Sequence, residues 1–598
     1  IYGAREMAVP IIAMTTTLLA VYAPIGFMGG LVGTLFTEFA FTLTGAVIIS
    51  GVVALTLSPM ISSHVLKPHG NQGRFEQRVE VFFNWLAEGY RRLLHGSLST
   101  VSVSVIFALL TLPAIYLMFI TSQNELAPTE DQGILFFQAT GPRTATLDYH
   151  RAYARQLQEE FDKIPEYNDG FYILGRTQDT VFGGFKMTSI NQRERSQMVV
   201  QPEVQAAMDK VAGFQSAAFP RPSLPGSSGG LPVQFVLTSD RTYEEITALA
   251  DQIIGRGMTS GNFMLLKKSV DMDRPVTHLL IDRDRAGDLG ISMAEIGRNL
   301  STLLGGGYVN WFNLDGRSYK VIPQVEQEYR LSAAMLEDYY IRAGSGDLVP
   351  LASVVSMESH VEPSKRTQFQ QLNSVTVEGV MFPGVTQGDA LTFLEAQAQE
   401  LLPKGYSYDY TGDSRQFAQQ GSGLVVTFFL SLLVIYLVLA AQFESWRDPL
   451  IILISVPLSI AGAMLFITLG VASVNIYTQV GLITLIGVVA KNGILIVEFA
   501  NQLQIKEGLS KREAVEKAAT IRLRPILMTA VALIVAMFPL LTASGPGAVS
   551  RFDIGLTITT GLGIGTFFTL FVLPAFYLLL ARDHAKAQQV LEQEEQAG

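Results

Sequence analysis

Two adjacent polar residues, Lys491 and Asn492, interrupt an apolar stretch that runs from Gln479 to Ala500. The stretch has the length and composition of a membrane span, and a lysine at mid-bilayer costs about 2.5–3.5 kcal/mol on insertion scales. Such a residue usually faces a charged partner or a water path. No carboxylate is expected at comparable depth, so either the lysine is neutral or its partner lies outside this sequence. Snorkelling to the interface is the weaker alternative, because apolar residues extend two to three turns on both sides.

Three further residues could take part in the same chemistry. Glu498 lies seven residues after Lys491, near the same helix face but closer to the end of the span, and it is interpreted as interfacial. Arg522 and Thr529 are also seven residues apart and share a helix face. Spacing alone favours Arg522 as an ordinary basic flank and Thr529 as a residue bonded to its own helix backbone.

The sequence offers no constellation typical of an enzyme or a metal site. Its seven histidines lack metal-ligand spacing, and it contains no cysteine. Neither a GxSxG nor a Walker A motif is present, and the glycines at 305–307 lack the lysine and the strand–loop–helix setting of a phosphate loop. No cofactor is expected. Intramembrane ionisable residues mark ion pathways, so transport driven by a proton gradient is favoured.

The elements that must position these residues are membrane spans. The 598 residues are 48% hydrophobic and 16% charged, and the net charge of −10 argues against a nucleic-acid partner. The apolar runs predict a polytopic α-helical membrane protein in a lipid bilayer. The eight predicted spans are Val9–Met28, Phe39–Met60, Thr100–Ile120, Gly423–Ala441, Leu450–Gly470, Gln479–Ala500, Pro525–Leu541 and Ile554–Leu580.

Lysines and arginines predict the orientation of the spans. They concentrate after the second and sixth spans and in the tail, whereas the loops 29–38 and 471–478 carry none. By the positive-inside rule, the basic loops and both termini are cytoplasmic, and the long insert of about 121–419 lies outside. The basic residues are Lys67, Arg74, Arg78, Arg91, Arg92, Lys506, Lys511, Arg512, Lys517, Arg522, Arg524, Arg582 and Lys586.

Arg74–Leu94 follows helical spacing but is too charged to span the membrane, so it predicts an interfacial amphipathic helix. Packing on another protein helix is the alternative.

The insert has globular composition and alternates strand and helix. This rhythm predicts two α+β subdomains of the split βαβ, ferredoxin-like type. Gly305–Val321 predicts a hairpin with its turn at Leu314–Gly316. Phe219–Pro232 is rich in Pro, Gly and Ser and predicts a connector, with a substrate-pathway loop as the sharper alternative. The predicted elements are Ile134–Thr140, Leu147–Phe161, Gly170–Leu174, Val233–Leu237, Tyr243–Ile254, Thr277–Ile281 and Met293–Leu304.

Several segments resemble the resistance–nodulation–division transporters, in their hydrophobe/amphiphile drug-efflux branch. The resemblance covers nearly the whole chain and agrees in the order of spans and insert. The segments that carry it are VALTLSPM (Val53–Met60), LAAQFESW (Leu439–Trp446), VPLSIAGA (Val456–Ala463), VGLITLIGVVAKNGILIVEFA (Val480–Ala500) and RLRPILMTA (Arg522–Ala530).

The resemblance implies a homotrimer of twelve-span protomers, of which this chain is similar to spans five to twelve. The chain begins at Ile1 and not at Met, so its start is expected to be internal to a longer protein. The implied domains are two spans (1–66), an interfacial helix (67–98), a span (99–121), porter subdomains (133–289), a docking subdomain (290–385), a return to the second porter subdomain (386–415), five spans (420–582) and a cytoplasmic tail (583–598).

The resemblance also implies site residues. Lys491, Arg522 and Thr529 match the proton relay of the family, Asn492 follows the lysine as in the family, and the aspartate pair that completes the relay would lie upstream of Ile1. Phe171, Phe182 and Phe185 fall in the stretch that lines the drug pocket of the family, although Ile173 stands where some relatives have an aromatic. A role as core aromatics is an equal alternative for these phenylalanines.

The implied function is drug–proton antiport, not enzymatic catalysis. The implied setting is the inner membrane of a Gram-negative bacterium, and the implied partners are a periplasmic adaptor, an outer-membrane channel and amphiphilic small molecules. Two alternatives stay open. One is a metal-ion exporter of the same superfamily, although Met187, Met198 and Met208 form no clear ligand group. The other is a non-transporting membrane scaffold or fragment.

Overall fold

The computed structural model describes residues 8–65, 74–175, 179–224 and 230–583. The chain divides into two compact units. The larger unit comprises the described parts of 1–237, 251–267 and 376–598, and the smaller one comprises 238–250 and 268–375. Three predictions fall on residues outside the described ranges, namely Lys67, the middle of the Phe219–Pro232 segment, and the tail from residue 584, with Lys586.

Five described helices precede the insert. They are α1 (Ala8–Gly26), α2 (Gly30–Leu55), α3 (Leu57–Val65), α4 (Arg74–Ser97) and α5 (Val101–Thr121). The predicted loop 29–38 was wrong: α2 begins at Gly30, because Val32 and Phe36 are buried against neighbouring helices and continue the apolar face of the helix.

Helix α4 confirms the predicted amphipathic helix. Its Tyr90 and Leu94 are buried, whereas Val81 and Trp85 are exposed. The Tyr90 hydroxyl donates a hydrogen bond of 2.6 Å to the carbonyl of Leu570, so one face of α4 is fixed to the membrane helices.

The first α+β subdomain contains the elements β1 (Ile134–Thr140), α6 (Leu147–Phe161), β2 (Tyr167–Ile173), β3 (Thr180–Met187), α7 (Gln197–Asp209) and β4 (Gln215–Pro220). The sheet order is β2-β3-β1-β4, and each neighbouring pair is antiparallel. Two helices connecting strands in this order give the predicted split βαβ topology. The core contains Phe137, Leu157 and Phe161, which are fully buried.

A second subdomain begins with β5 (Val233–Ser239), α8 (Tyr243–Thr259) and β6 (Phe263–Lys268). The chain then forms most of the smaller unit. Its elements are β7 (Arg274–Ile281), α9 (Arg283–Asp288), α10 (Met293–Leu303), β8 (Asn310–Leu314), β9 (Arg317–Val321), β10 (Tyr340–Arg342), β11 (Leu348–Pro350), β12 (Val355–Glu362) and β13 (Gln368–Phe369).

The hairpin predicted within the smaller unit is confirmed. Strands β8 and β9 pair antiparallel from Asn310 opposite Val321 to Leu314 opposite Arg317. The two residues between them, Asp315 and Gly316, both have positive φ, 51° and 76°. This is the conformation that an Asp-Gly turn adopts in a two-residue hairpin.

The second subdomain is completed by β14 (Leu372–Met381), α11 (Gln387–Leu401) and β15 (Tyr406–Tyr410). Strand β5 lies between β14 and β15, and both β6 and the two-residue strand β13 pair with β14, so the four main strands have the order β6-β14-β5-β15. This is the same topology as in the first subdomain, and the prediction of two split βαβ subdomains is confirmed. Residues 269–371 are therefore inserted between two neighbouring strands of the second sheet.

The second group of helices comprises α12 (Gly412–Phe443), α13 (Asp448–Leu453), α14 (Ser455–Thr468), α15 (Ile476–Glu507), α16 (Lys511–Leu541) and α17 (Ala548–Leu580). Among the described residues, seven helical segments are long and apolar enough to cross a membrane, and Ile11–Gly26 is a shorter apolar helix. Together they correspond to the eight predicted spans. Helix α15 is the most enclosed: 89% of its most apolar window is buried, against 6% for α5.

The basic loop predicted after the sixth span was wrong in extent. Helix α15 continues to Glu507 and ends at Gly508, whose φ is 64°. Helix α16 starts almost at once, because Ser510 and Glu513 form a capping box. The basic residues from Lys511 to Arg524 therefore lie in the first turns of α16 and not in a loop.

Candidate functional site

Lys491 and Asn492 lie halfway along α15, about 22 Å from either end of the helix. Asn492 is buried, and its amide donates to the hydroxyl of Thr566 on α17 at 3.3 Å. Lys491 is partly buried, and it makes no hydrogen bond or ion pair with any residue in the described part of the chain. Among the described residues, Lys491 thus has no hydrogen-bond or ion-pair partner at the centre of the most enclosed helix.

Glycines bring neighbouring helices close to this position. A Cβ on Gly487 would lie 2.9 Å from a methyl carbon of Val21 on α1. A Cβ on Gly493 would lie 3.1 Å from side-chain atoms of Ile452 and Leu573. Such contacts are tighter than ordinary van der Waals packing, so a larger side chain would displace the neighbouring helices. The backbone of α15 therefore lies close against side chains of other helices on both sides of Lys491.

Arg522 and Thr529 lie on α16, which packs against α15. The Thr529 hydroxyl donates to the carbonyl of Ile526 at 3.0 Å, the local backbone bond that the spacing favoured. The Arg522 guanidinium lies 4.4 Å from the ring centre of Phe499 and interacts electrostatically with Glu498. No hydrogen bond or ion pair in the described chain joins Lys491 to Arg522 or Thr529. Glu498 is thus a neighbour of Arg522 that sequence reasoning did not assign.

At the opposite end of α15, the connector, defined here as residues 122–130, joins α5 to the insert. It runs beside the loop before α15, where Glu125 N donates to Val474 O at 3.1 Å and Val474 N donates to Gln123 O at 2.8 Å. It also accepts a bond of 3.0 Å from Gly388 N at the start of α11. A Cβ on Gly388 would lie 2.4 Å from Asn124 O, so only glycine permits this approach.

Three carboxylates that the sequence did not single out lie around the connector. The Ser473 hydroxyl donates to Glu125, and the Asn475 amide donates to the Ser473 oxygen at 2.9 Å and to Asp553 on α17 at 2.7 Å. Burial raises the pKa of Glu125 above its ordinary value; the hydrogen bond from Ser473 opposes this, and the charge of Asp389 adds to it. An acidic residue directly before an apolar run, as Asp553 is, was the available sequence signal.

The third carboxylate, Glu130, is 3% exposed and caps α17. Its two oxygens accept from the backbone N–H groups of Ser550 at 2.8 Å and Val549 at 3.3 Å. A carboxylate at a helix N-terminus satisfies free N–H groups and interacts favourably with the helix dipole.

The three phenylalanines predicted for a substrate pocket separate onto two faces of the first sheet. Phe171 is 40% exposed and Phe182 is partly buried. They form a ring cluster with Phe136 and Phe219, with centroid distances of 5.3–6.4 Å. Phe185 departs from the predicted pocket role, because it is fully buried in the core between Phe161 and Tyr167. Side chains alternate between the two faces of a strand, so Phe182 and Phe185 face opposite sides of the sheet, and Phe185 faces the helices. The pocket hypothesis is therefore kept for Phe171 and Phe182 only.

A cavity of about 780 Å³ lies between the outer end of α5 and the start of α11 and α12. Its walls combine aromatic rings, from Phe119, Phe393 and Phe417, with the carboxylates of Asp389 and Glu395. Such a lining matches a molecule with an apolar body and a polar or charged group.

The described residues contain no group of three His, Asp or Glu side chains placed to hold a metal ion. Met187 and Met208 are buried in the core of the first subdomain, where they pack against apolar neighbours. This arrangement gives no support to the metal-exporter alternative.

The fold and these residues define a class: a polytopic α-helical membrane protein with a large α+β insert and charged residues within its spans. The comparison with known families agrees. Residues 1–581 match the AcrB/AcrD/AcrF family, and the chain belongs to this family.

Curated relatives match almost the whole chain. An uncharacterized transporter of Haemophilus influenzae is 39% identical over 591 residues, which cover 98% of this chain and 57% of the relative. The toluene efflux pump membrane transporter TtgB of Pseudomonas putida is 31% identical, over 96% of this chain and 56% of the relative. The multidrug export protein AcrF of Escherichia coli is 28% identical, over 96% and 57%. The chain thus spans a little over half the length of these relatives, and its correspondence to spans five to twelve stays a prediction.

Proposed function

We propose that this chain takes part in proton-driven export of amphiphilic compounds, as a secondary antiporter and not as an enzyme. The observation that carries the proposal is the position of Lys491, unpaired by any described residue at the centre of α15. Ionisable residues at this depth are costly, and they mark ion pathways. The names of the relatives, which include a toluene efflux pump and a multidrug export protein, agree with export of apolar molecules.

In this proposal, four residues form the proton relay: Lys491, Asn492, Arg522 and Thr529. Lys491 alternates between a carboxylate partner, implied by the family resemblance, and the other polar groups of the spans. Asn492 holds α15 to α17 through Thr566. Arg522 supplies a second positive charge on α16, and Thr529 supplies a hydroxyl on the same face of that helix. One proton moving down a potential of 100 mV makes about 2.3 kcal/mol available.

The substrate is an amphiphile that enters from the bilayer or the periplasm. The cavity beside α5 and α12 lies at the outer end of the spans, where an amphiphile concentrates, and its lining is aromatic and acidic. The exposed ring of Phe171 and the partly exposed rings of Phe136 and Phe182 offer an apolar surface further along the path, on the sheet face away from the helices. Both features favour apolar or cationic compounds over small anions.

The proposed setting is the inner membrane of a Gram-negative bacterium, with the insert in the periplasm. The proposed partners are two further copies of the protein, a periplasmic adaptor and an outer-membrane channel. Family membership supports these partners, and the distribution of basic residues favours a cytoplasmic position for the end of α15 and the start of α16.

The test is Lys491→Ala in the protein as its gene encodes it, expressed in an efflux-deficient Gram-negative host with its adaptor and channel. We expect loss of ethidium efflux at an unchanged amount of membrane-inserted protein, since removing a charge from mid-bilayer lowers the cost of insertion. Lys404→Ala, at an exposed lysine of the insert, is the control and keeps full efflux. In the unchanged protein, an uncoupler stops efflux.

Efflux by the Lys491→Ala variant at the rate of the unchanged protein would contradict the relay. Efflux that persists in the presence of the uncoupler would contradict proton coupling. Absence of any uncoupler-sensitive export, with the partners present and the protein assembled, would support the scaffold alternative instead.

A further inference from the structure

A second cavity, of about 620 Å³, lies at the basic end of the spans. It is formed where α12 ends, α13 begins and α15 leaves the membrane region. The polar side chains that matter for the inference are Glu444, Arg447, Asp448, Glu498, Asn501 and Arg582. With the orientation proposed above, this cavity faces the cytoplasm.

A chain of buried hydrogen bonds fixes one wall of the cavity. Gln504 donates to the Tyr577 hydroxyl at 2.6 Å, this hydroxyl donates to Asn501 at 2.6 Å, and Asn501 donates to Asp448 at 3.3 Å. Gln504 and Tyr577 are completely buried. Because a satisfied buried network of this kind is rigid, the cavity is held open by α13, α15 and α17 together.

Glu498 lines this cavity and also interacts electrostatically with a residue of the proposed relay, Arg522. It is partly buried, it accepts a bond of 3.4 Å from Gln502, and its carboxylate interacts with Arg522. Seven residues separate it from Lys491, which corresponds to about 10 Å along α15 and nearly the same direction around the helix. Glu498 thus stands between Lys491 and the cytoplasmic cavity.

We propose that Glu498 is the residue through which protons leave the relay on the cytoplasmic side; this inference rests on the proposed antiport. A proton that arrives through water along this face of α15 forms an O–H bond with the carboxylate. That bond then breaks, and the proton passes to a water molecule of the cavity, leaving the carboxylate as before. No other reactant is consumed.

The surrounding charges suit repeated release. Partial burial of Glu498 favours the protonated carboxyl and Arg522 on α16 favours the ionised one, so the side chain has the opposing influences that a group taking up and releasing a proton needs. The other charged groups that face the cavity are Glu444, Arg447 and Asp448, around the start of α13, and Arg582 after α17. Gln502, on the same helix, is uncharged and holds the carboxylate in place.

The transport test compares Glu498→Gln with Glu498→Asp. Glutamine keeps the shape and the bond from Gln502 but binds no proton, so efflux of ethidium should fall by about a hundredfold. Aspartate keeps the proton-binding group and should retain more activity, with a displaced dependence on cytoplasmic pH. Glu159→Gln removes an exposed carboxylate of α6, outside the cavity, and should leave efflux unchanged. The opposite order, with glutamine tolerated better than aspartate, indicates a packing role and overturns the proposal.

An access test does not depend on transport. These 598 residues contain no cysteine, so Glu498→Cys introduces the only thiol among them, and the unchanged protein labelled in parallel gives the background. A membrane-impermeant methanethiosulfonate should modify this thiol in inside-out vesicles and leave it unmodified in right-side-out vesicles. Lack of reaction in inside-out vesicles, or reaction from the outer side, overturns the proposal.

The two hypotheses fail differently. If Lys491→Ala abolishes efflux while Glu498→Gln does not, proton coupling stands and release through Glu498 is wrong. If Lys491→Ala is fully active, the proposed antiport itself is wrong, whatever the vesicle labelling shows.

Discussion

At the scale of single residues, the chain places isolated charges where burial makes them sensitive to their surroundings. Lys491 and Glu125 illustrate two cases. Lys491 is unpaired among the described residues and lies at mid-span. Glu125 lies outside the spans, and its carboxylate is held by Ser473 beside the connector. Burial of each charged group costs folding free energy, and groups buried at such a cost are often functional, so both residues are candidates for function.

Glu125 should make the stability of the protein depend on pH. Burial raises its pKa in the folded state, so the folded protein binds more protons than the unfolded one between the ordinary and the raised value. Stability therefore falls as pH rises through that window. In Glu125→Gln, which still accepts the bond from Ser473, we expect a shallower fall in thermal midpoint as the pH rises above the ordinary pKa of a glutamate.

The measurement is thermal unfolding in detergent across that pH range, followed by intrinsic fluorescence. Glu159→Gln, at an exposed carboxylate of α6, is the control and should keep the slope of the unchanged protein. An identical slope in Glu125→Gln would show that this carboxylate is not a source of the dependence.

At the scale of elements, the sequence predicted those helices and strands that are specified by neighbouring residues, such as a capping residue, an amphipathic face or a turn. Leu147–Phe161 was predicted with its observed bounds, since Thr146 caps a clearly amphipathic helix. The β8–β9 hairpin followed from its Asp-Gly turn. Strand β3 was missed, because Gly183 and Gly184 weaken its strand pattern, and its pairing with β1 and β2 is non-local.

The candidate site was predictable only as far as it lies on single helices. The seven-residue spacings placed Lys491 with Glu498, and Arg522 with Thr529. Contacts between helices, such as Asn492 with Thr566 or Arg522 with Glu498, depend on packing that no periodicity encodes. The carboxylate cluster of Glu125, Glu130 and Asp553 escaped notice for the same reason.

Loss of the Glu130 cap of α17 should lower the stability of the protein. Glu130 comes from a distant part of the chain and satisfies two backbone N–H groups of α17. Loss of such a cap costs about 0.5–2 kcal/mol. Glu130→Ala should therefore lower the free energy of unfolding by about 1–2 kcal/mol, and Glu130→Gln should lower it less, because the amide oxygen still accepts one bond.

Equilibrium unfolding in mixed micelles with increasing SDS would measure both variants. Glu159→Ala, on the exposed face of α6, is the control, since it removes a carboxylate from the interior of a helix and not from a helix cap. Equal stability of Glu130→Ala and the unchanged protein would mean that the N-terminus of α17 is satisfied by other groups.

At the scale of the whole molecule, the spans leave much apolar surface uncovered. The most apolar windows of α5 and α16 are only 6% and 17% buried. Such surfaces lie against lipid or against other spans. The family resemblance predicts that part of this surface is covered in a homotrimer.

Native mass spectrometry of the purified protein in mild detergent tests this prediction. We expect a species of three copies that persists on dilution, because obligate assemblies bury large apolar interfaces. A single copy at all concentrations would contradict the trimer.

Between its spans and its insert, the chain crosses twice, and the two crossings differ in stiffness. On one side α12 is a single helix of 32 residues that starts directly after the insert at Gly412. On the other side the connector is irregular backbone with bends, and one parallel bridge between Asn124 and Val474 joins it to the loop before α15. A continuous helix resists both compression and tension, whereas an irregular segment resists compression only as far as its lateral hydrogen bonds hold. We therefore expect α12 to transmit a movement of the spans toward the insert, and both crossings to transmit a movement away from it.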